Sequence, residues 1–202
     1  MKLNTVYSLI KNLDFKKMKQ FILYNLPEKE IRSGSGTVNS AEYECLVRLS
    51  KEAQEKSPNS MIIEIGALFG FSTQALLEGC DNNKVIVIDN FTWNPIGLSI
   101  SRHRDLFKSN MNYFLRNNML EIFDGTSENF FINKYNGENI SMVFIDADHS
   151  YEGVMADIEN AFKVKPLIIC GDDYQFEGVK KAVNEFFGEN FELDGELWWA
   201  KL

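Results

Sequence analysis

From residue 58 onward, short apolar runs alternate with longer stretches whose apolar residues recur at helical spacing. The runs at 61–65, 85–88, 120–123, 140–145 and 167–170 are rich in Ile, Val and Phe and are bounded by polar or turn residues. Runs of that length and make-up predict strands. The stretches at 73–80, 103–117, 127–135, 153–162 and 178–187 predict helices or helical turns. Strands apolar on both alternating faces belong in a parallel sheet covered on both sides. Two closing strands, 191–193 and 197–202, flank Asp194-Gly195, a dipeptide that favours a tight hairpin turn. A series of βα units ending in a hairpin implies an α/β, doubly wound, Rossmann-like sheet of seven strands with one antiparallel strand at the end.

The first third of the chain is organised differently. Apolar positions scattered over 5–24 fit one or two short helices, and a polar Gly/Ser stretch follows at 32–37. That stretch serves either as a linker or as a lid whose glycines permit closure over a ligand. A helix begins near Ser40, its expected N-cap, with Tyr43, Leu46, Val47 and Leu49 on one stripe. Residues 1–36 thus form an N-terminal helical cap or lid segment, and 37–202 the main domain.

Composition narrows the functional classes. The 202 residues carry a net charge of −8, which disfavours a nucleic-acid partner, because phosphate binding relies on a basic surface. Lys11, Lys16, Lys17 and Lys19 are the solvated face of an N-terminal helix. Cys45, Cys80 and Cys170 are odd in number and widely spaced, so neither a disulfide framework nor a thiolate zinc site follows. Cys80 ends an expected helix and Cys170 lies in an expected strand, and both are expected to be buried. No stretch approaches the ~20 apolar residues of a membrane span, and the first residues lack the features of a secretory signal. A cytoplasmic protein with no membrane partner is the expectation.

The chemistry concentrates where strands end. Val143-Phe144-Ile145 runs into Asp146-Ala147-Asp148-His149, and Leu167 to Cys170 runs into Gly171-Asp172-Asp173. In open α/β sheets ligands bind beyond the carboxyl ends of the strands. Asp146 and Asp148 point to the same face if the strand extends that far. Carboxylates crowded at one sheet edge repel one another unless a cation joins them, and oxygen ligands suit Mg²⁺ or Ca²⁺. The alternative is that Asp148 and Asp173 cap the helices that follow.

The first strand ends in Glu64-Ile65-Gly66-Ala67-Leu68-Phe69-Gly70-Phe71-Ser72-Thr73. Its glycines allow a sharp turn and close approach to a ligand, but the spacing is not the Gly-x-Gly-x-x-Gly of dinucleotide sites. An acid before the turn favours a cationic ligand over a phosphorylated one, and the sulfonium and ammonium groups of S-adenosylmethionine fit. Asp89, ending the second strand, can accept both ribose hydroxyls of a nucleoside. Gly66 and Gly70 could alternatively serve helix–strand packing alone.

With these residues in place, the chain resembles the class I S-adenosylmethionine-dependent methyltransferases. More narrowly it resembles the metal-dependent small-molecule O-methyltransferases of the catechol and macrocin type. The carrying segments are IIEIGALFGFST, VIVIDNF, FIDADHSYEGVMADIE and IICGDDYQFEGVKKAVNEFF. TVNSAEYECLVRLSKE is similar to the helix that precedes the family's first strand, whose leading loop covers the cofactor. The resemblance implies strand order 3-2-1-4-5-7-6 with strand 7 antiparallel. It implies that Gly66 and Gly70 line the methionine moiety, Glu64 holds its ammonium group, Ser72 contributes a hydroxyl and Asp89 binds the ribose. Thr126 and Ser127 fall where the family holds adenine. Asp146, Asp172 and Asp173 match the metal-binding acids, with Asp146 also bordering the cofactor. Where catechol-type relatives place a lysine base, Asp148-His149 stands here, so His149 is the first choice for the base and Asp148 the second. His103 is expected on the surface. Trp93, Tyr151 and Tyr174 are expected at the acceptor pocket, and of Trp198 and Trp199 one is expected in the core and the other facing solvent or a subunit. The expected activity is Mg²⁺-dependent methylation of a hydroxyl on a sugar or other small metabolite, with self-association into a homodimer. The alternatives are a metal-independent methyltransferase and a non-catalytic binding member of the fold.

Overall fold

The structure is a computed structural model in which residues 38–80 and 84–202 are described. The expected N-terminal helices, the lysine face and the Gly/Ser lid lie outside those residues.

Helix α1 (Ser40–Lys56) opens the described chain. Its cap is Asn39 rather than Ser40: the Asn39 side chain accepts from the Ala41 and Glu42 amides at 2.9 and 3.2 Å, and Glu42 accepts from the Asn39 amide at 2.7 Å. Asn39 with Glu42 three residues on makes a reciprocal capping box, which places Ser40 inside the first turn. Asn39→Ala is expected to cost about 1 kcal/mol of stability, the usual worth of such a cap. A urea titration with no shift of midpoint would remove the box from the account.

The strands are β1 (Met61–Ile65), β2 (Val85–Asp89), β3 (Leu120–Asp124), β4 (Ile140–Ile145), β5 (Ile168–Gly171), β6 (Glu192–Asp194) and β7 (Leu197–Lys201). They form one sheet in the order β3-β2-β1-β4-β5-β7-β6. All neighbouring pairs are parallel except those made by β7, which is antiparallel to β5 and β6. Between the strands lie α2 (Phe71–Gly79), α3 (Ile100–Asn110), α4 (Asn112–Arg116), α5 (Ser127–Asn133), α6 (Tyr151–Lys163) and α7 (Glu177–Phe187). The stretch expected as one helix over 103–117 is broken at Met111 into α3 and α4.

Alternation along the strands divides the core into two layers. Ile62, Val87, Phe144 and Trp199 pack on one face with Leu46, Leu49, Leu76 and Phe107. Ile63, Ile65, Val143 and Trp198 pack on the other with Ile158, Val183 and Phe187. Trp198 and Trp199 do alternate, yet both are buried, which corrects the expectation of one solvent-facing indole. Helices cover both faces of β7: Phe187 of α7 meets Trp198 at 5.8 Å, and the Arg48 guanidinium of α1 lies 5.2 Å from the Trp199 ring. The closing hairpin turns one residue later than expected, at Gly195-Glu196, with Asp194 still paired to Leu197. Cys80 and Cys170 are buried, as expected, and so is Cys45.

Register aligns the site. Ile65 pairs with both Ile88 and Ile145, and Ile145 pairs with Gly171. The residues that follow, Gly66, Asp89, Asp146 and Asp172, therefore leave the sheet at one level, on either side of the switch point between β1 and β4.

Candidate active site

Above these strand ends lies a cavity of about 580 Å³. Its walls include Gly66, Leu68, Phe69, Ser72, Asp89, Trp93, Asp146, Asp148, His149 and Asp173. Most of the residues expected at a site from sequence thus share one cavity.

Gly66 has φ +83°, and a Cβ there would overlap the Asp146 carbonyl, 2.7 Å from its carbon and 2.9 Å from Ala147 Cα. Only glycine fits, because the turn needs a left-handed backbone and the neighbouring strand crowds it. Gly70, φ +93°, begins α2 against the Met111 thioether.

Glu64 is fully buried at the sheet's ligand end, and neither carboxylate oxygen has a hydrogen-bond partner. Burial pushes its pKa up to about 8; the nearby Ser72 and Thr73 hydroxyls, short of full hydrogen-bond geometry, pull the other way, and the charges of Asp146 and Asp89 push it further up. A buried acid without a partner is costly, and a cationic ligand group would satisfy it. Asp89 is used differently: Oδ2 accepts from the Ala67 and Leu68 amides at 2.9 and 3.2 Å, and Oδ1 from the Phe91 amide at 2.6 Å.

Asp146, His149 and Asp173 form a second constellation, each offering one ligating atom within 4.8 Å of the others. His149 Nε2 lies 2.9 Å from Asp173 Oδ2 and 3.9 Å from Asp146 Oδ1, and its ring stacks on Phe176 at 4.8 Å. The neighbouring carboxylates of Asp146 and then Asp173 push the His149 pKa up to about 10, against the opposing effect of burial. Asp146 is itself raised, first by burial and then by Asp173, with His149 opposing. Asp172 is pushed up to about 9 by burial and by the charges of Asp146 and Glu42. Glu42 of α1, buried and held by the Asn39 amide, was invisible in sequence as a member of this group; its capping role is the only local signal it carries. Such a gathering of acids favours added positive charge. Two carboxylates and an imidazole converging from the loops just beyond β4 and β5 are a donor set that fits a divalent cation such as Mg²⁺ or Mn²⁺.

The remaining expected residues divide. β4 stops at Ile145, so Asp148 does not extend the strand face of Asp146. Asp148 Oδ1 accepts from the Ser150 amide at 2.8 Å while its side chain stays exposed on the cavity wall. Thr126 caps α5 through the Asn129 amide at 3.3 Å, and the Ser127 hydroxyl donates to the buried Asp157 carboxylate. Burial pushes Asp157 up to about 6. Neither Thr126 nor Ser127 is among the residues lining the cavity. Trp93 lines it and is 61% exposed. Tyr174 instead accepts from Asn184 at 2.9 Å, and Tyr151 lies beneath the Lys181 ammonium at 4.0 Å. His103, expected on the surface, is fully buried, because the carbonyls of Leu68 and Phe91 meet its two ring nitrogens.

A family described as a methyltransferase domain matches residues 63–168, more than half of the chain, and the chain belongs to that family. It is accordingly an S-adenosylmethionine-dependent methyltransferase of the class I fold. No match is found among curated proteins. Among solved structures it is similar to CalS11, a TDP-rhamnose 3'-O-methyltransferase of calicheamicin biosynthesis, at 12% identity over 98% of this chain and 92% of that one, with a TM-score of 0.64. An O-methyltransferase from Bacillus cereus in complex with SAH matches at 19% identity, 98% and 96% coverage and a TM-score of 0.61. TomG from Streptomyces achromogenes, an O-methyltransferase of tomaymycin synthesis solved with SAM, matches at 14% identity, 96% and 92% coverage and a TM-score of 0.61. Likeness at these identities shows the shared fold. Among the described residues no helix is long and apolar enough to cross a membrane.

Proposed function

We propose that the protein is a Mg²⁺-dependent O-methyltransferase acting on a hydroxyl of a small molecule, a sugar or another hydroxylated metabolite. The observation that carries this reading is one cavity lined by Gly66, Ser72 and Asp89 from the first two strand ends and by Asp146, His149 and Asp173 from β4 and β5 onward; the buried, unpartnered Glu64 lies two residues before Gly66, behind that lining. When bound, S-adenosylmethionine supplies an electrophilic methyl group, and Mg²⁺ supplies Lewis acidity to a coordinated hydroxyl.

The chain's own residues do the rest. Gly66 and Gly70 admit the methionine end, Glu64 faces its ammonium group with Ser72 beside it, and Asp89 meets the ribose. The turn carrying Thr126 and Ser127 borders the adenine end. Asp146, Asp173 and His149, with Asp172 beside them, would hold the cation, whose charge would act on the acceptor hydroxyl. Engagement of His149 with Asp173 supports assigning the imidazole to the cation cluster. Asp148, exposed on the same wall, then takes the hydroxyl proton. The remaining work is alignment of oxygen, methyl and sulfur, which rigid walls supply. Trp93 offers the acceptor a flat apolar face. The likeness to CalS11 and TomG, both small-molecule O-methyltransferases by name, supports the acceptor class.

A second reading is metal-independent transfer, favoured by the His149–Asp173 pair, which already places a positive group among the acids. Calorimetric titration of MgCl₂ and MnCl₂ into the protein saturated with S-adenosylhomocysteine separates the two. One ion per chain is expected, with affinity lowered at least about tenfold in Asp173→Asn, the loss of one charged ligand. No ion binding by the saturated wild type, with S-adenosylhomocysteine still bound, would favour the metal-independent reading instead.

A further inference from the structure

Of the non-glycine residues beside the cavity that hold left-handed backbone, Asp173 follows β5 and two bulky ones follow the first strands: Leu68, φ +46°, in the loop after β1, and Phe91, φ +56°, just after β2. Bulky side chains rarely adopt that region, and such residues persist only where their surroundings over-determine them. Here both bulky residues are met at both ends by the same two side chains. Their amides donate to Asp89, at 3.2 Å from Leu68 and 2.6 Å from Phe91. Their carbonyls meet the two nitrogens of one buried imidazole, His103, at 2.7 Å from Leu68 to Nε2 and 3.2 Å from Phe91 to Nδ1. Seven residues further along α3, on the same face, Asn110 donates to the Phe69 carbonyl at 3.0 Å. His103 also meets the Phe69 and Phe91 rings edge-on, each at 5.3 Å. No solvent reaches this ring, so its polar contacts are not diluted by water.

We infer that His103 is a positioning residue for cofactor binding: one ring N–H donates to a loop carbonyl, with Leu68 the shorter contact, while the ring packs edge-on against Phe69 and Phe91, and together these contacts fix the two loops, and the Asp89 carboxylate between them, in their binding geometry. The inference rests on the reading of the cavity as the cofactor site. His103 is not among the residues lining that cavity. It acts through Asp89, whose carboxylate direction is set by amides of the clasped loops. The two nitrogens reach different loops, and amide side chains reproduce them separately. A glutamine amide extends about as far as Nε2, toward Leu68, and an asparagine amide about as far as Nδ1, toward Phe91.

The test combines affinity with local exchange in His103→Leu, His103→Gln and His103→Asn. Calorimetry with S-adenosylhomocysteine is expected to show Kd raised about tenfold in the leucine variant. Glutamine should recover most of the loss and asparagine less, following the shorter contact to Leu68. Hydrogen exchange, read without ligand, should quicken at the Ala67, Leu68 and Phe91 amides of the leucine variant while residues 142–145 of β4 keep their protection. In the glutamine variant the Ala67 and Leu68 amides should regain protection before Phe91 does. Unchanged Kd in His103→Leu, or exchange that rises equally through β4, would overturn the inference. Should the leucine variant fail to fold, the glutamine and asparagine variants must still differ in which loop exchanges faster, and identical patterns would overturn it. Wild type that does not bind S-adenosylhomocysteine would refute the cofactor reading, while the exchange measurement would still decide the clasp.

Discussion

Gly66→Ala is expected to cost roughly 3 kcal/mol or more of stability and to abolish binding of S-adenosylhomocysteine. Two separate penalties meet at this position. The backbone is left-handed, at φ +83°, and a Cβ would press into the Asp146 carbonyl and Ala147 Cα of the neighbouring strand end. Neither obstacle can rotate away, because Asp146 is anchored through its amide to the Ile65 carbonyl at 2.8 Å. Relief requires β1 and β4 to separate where the cavity forms, so fold and site fail together. For a chain of this size the expected fall in Tm is about 6–12 °C. Gly137→Ala is the control: its φ is +87°, yet nothing lies within 4 Å of the added carbon. A Gly66→Ala protein that melts no lower than Gly137→Ala would show that the crowding against Asp146 is not what constrains the turn.

Glu64→Gln should move stability and binding in opposite directions. The wild-type carboxyl ionises near pH 4.5 when the chain is unfolded and near pH 8 when folded, because burial disfavours its charge. Between those values the unfolded chain binds fewer protons, so wild-type stability falls as pH rises from about 4.5 toward about 8, and levels off beyond. Glutamine has no such titration. Relative to wild type, the variant should gain a few kcal/mol across this window, the sign of removing an unpaired buried acid. Its affinity for S-adenosylhomocysteine should meanwhile drop about 100-fold, the worth of a charge-assisted bond in a dry site. Wild type should also release a proton on binding at pH 7, since the ligand's ammonium group selects the ionised carboxylate; calorimetry in buffers of different ionisation enthalpy reads this directly. Equal affinity in the variant, with no proton released by wild type, would remove Glu64 from the cofactor site.

How much of this was legible beforehand depends on the range of each interaction. The seven strands, their order and the level at which Gly66, Asp89, Asp146 and Asp172 emerge follow from patterns only a few residues long and from the family resemblance they carry. Asn39 in place of Ser40 as cap, and the hairpin turn one residue late, are small slips within the same local rules. Larger departures came from distance. His103 sits on a largely polar helix, and its burial depends on a carbonyl 35 residues away, at Leu68. Trp198 and Trp199 alternate as their strand requires, but only the docking of α1 and α7 buries both.

Sequence by itself determined the fold class, the ends of the strands and the kind of chemistry gathered there, because hydrophobic periodicity and turn chemistry are local and the acids lie beside the runs that carry them. Tertiary structure alone decided the partnerships: His149 with Asp146 and Asp173, Glu42 beside Asp172, Ser127 with Asp157, Asp89 and His103 across two loops. Each of these depends on side-chain direction and on contacts between segments far apart in the chain, which a linear pattern does not encode.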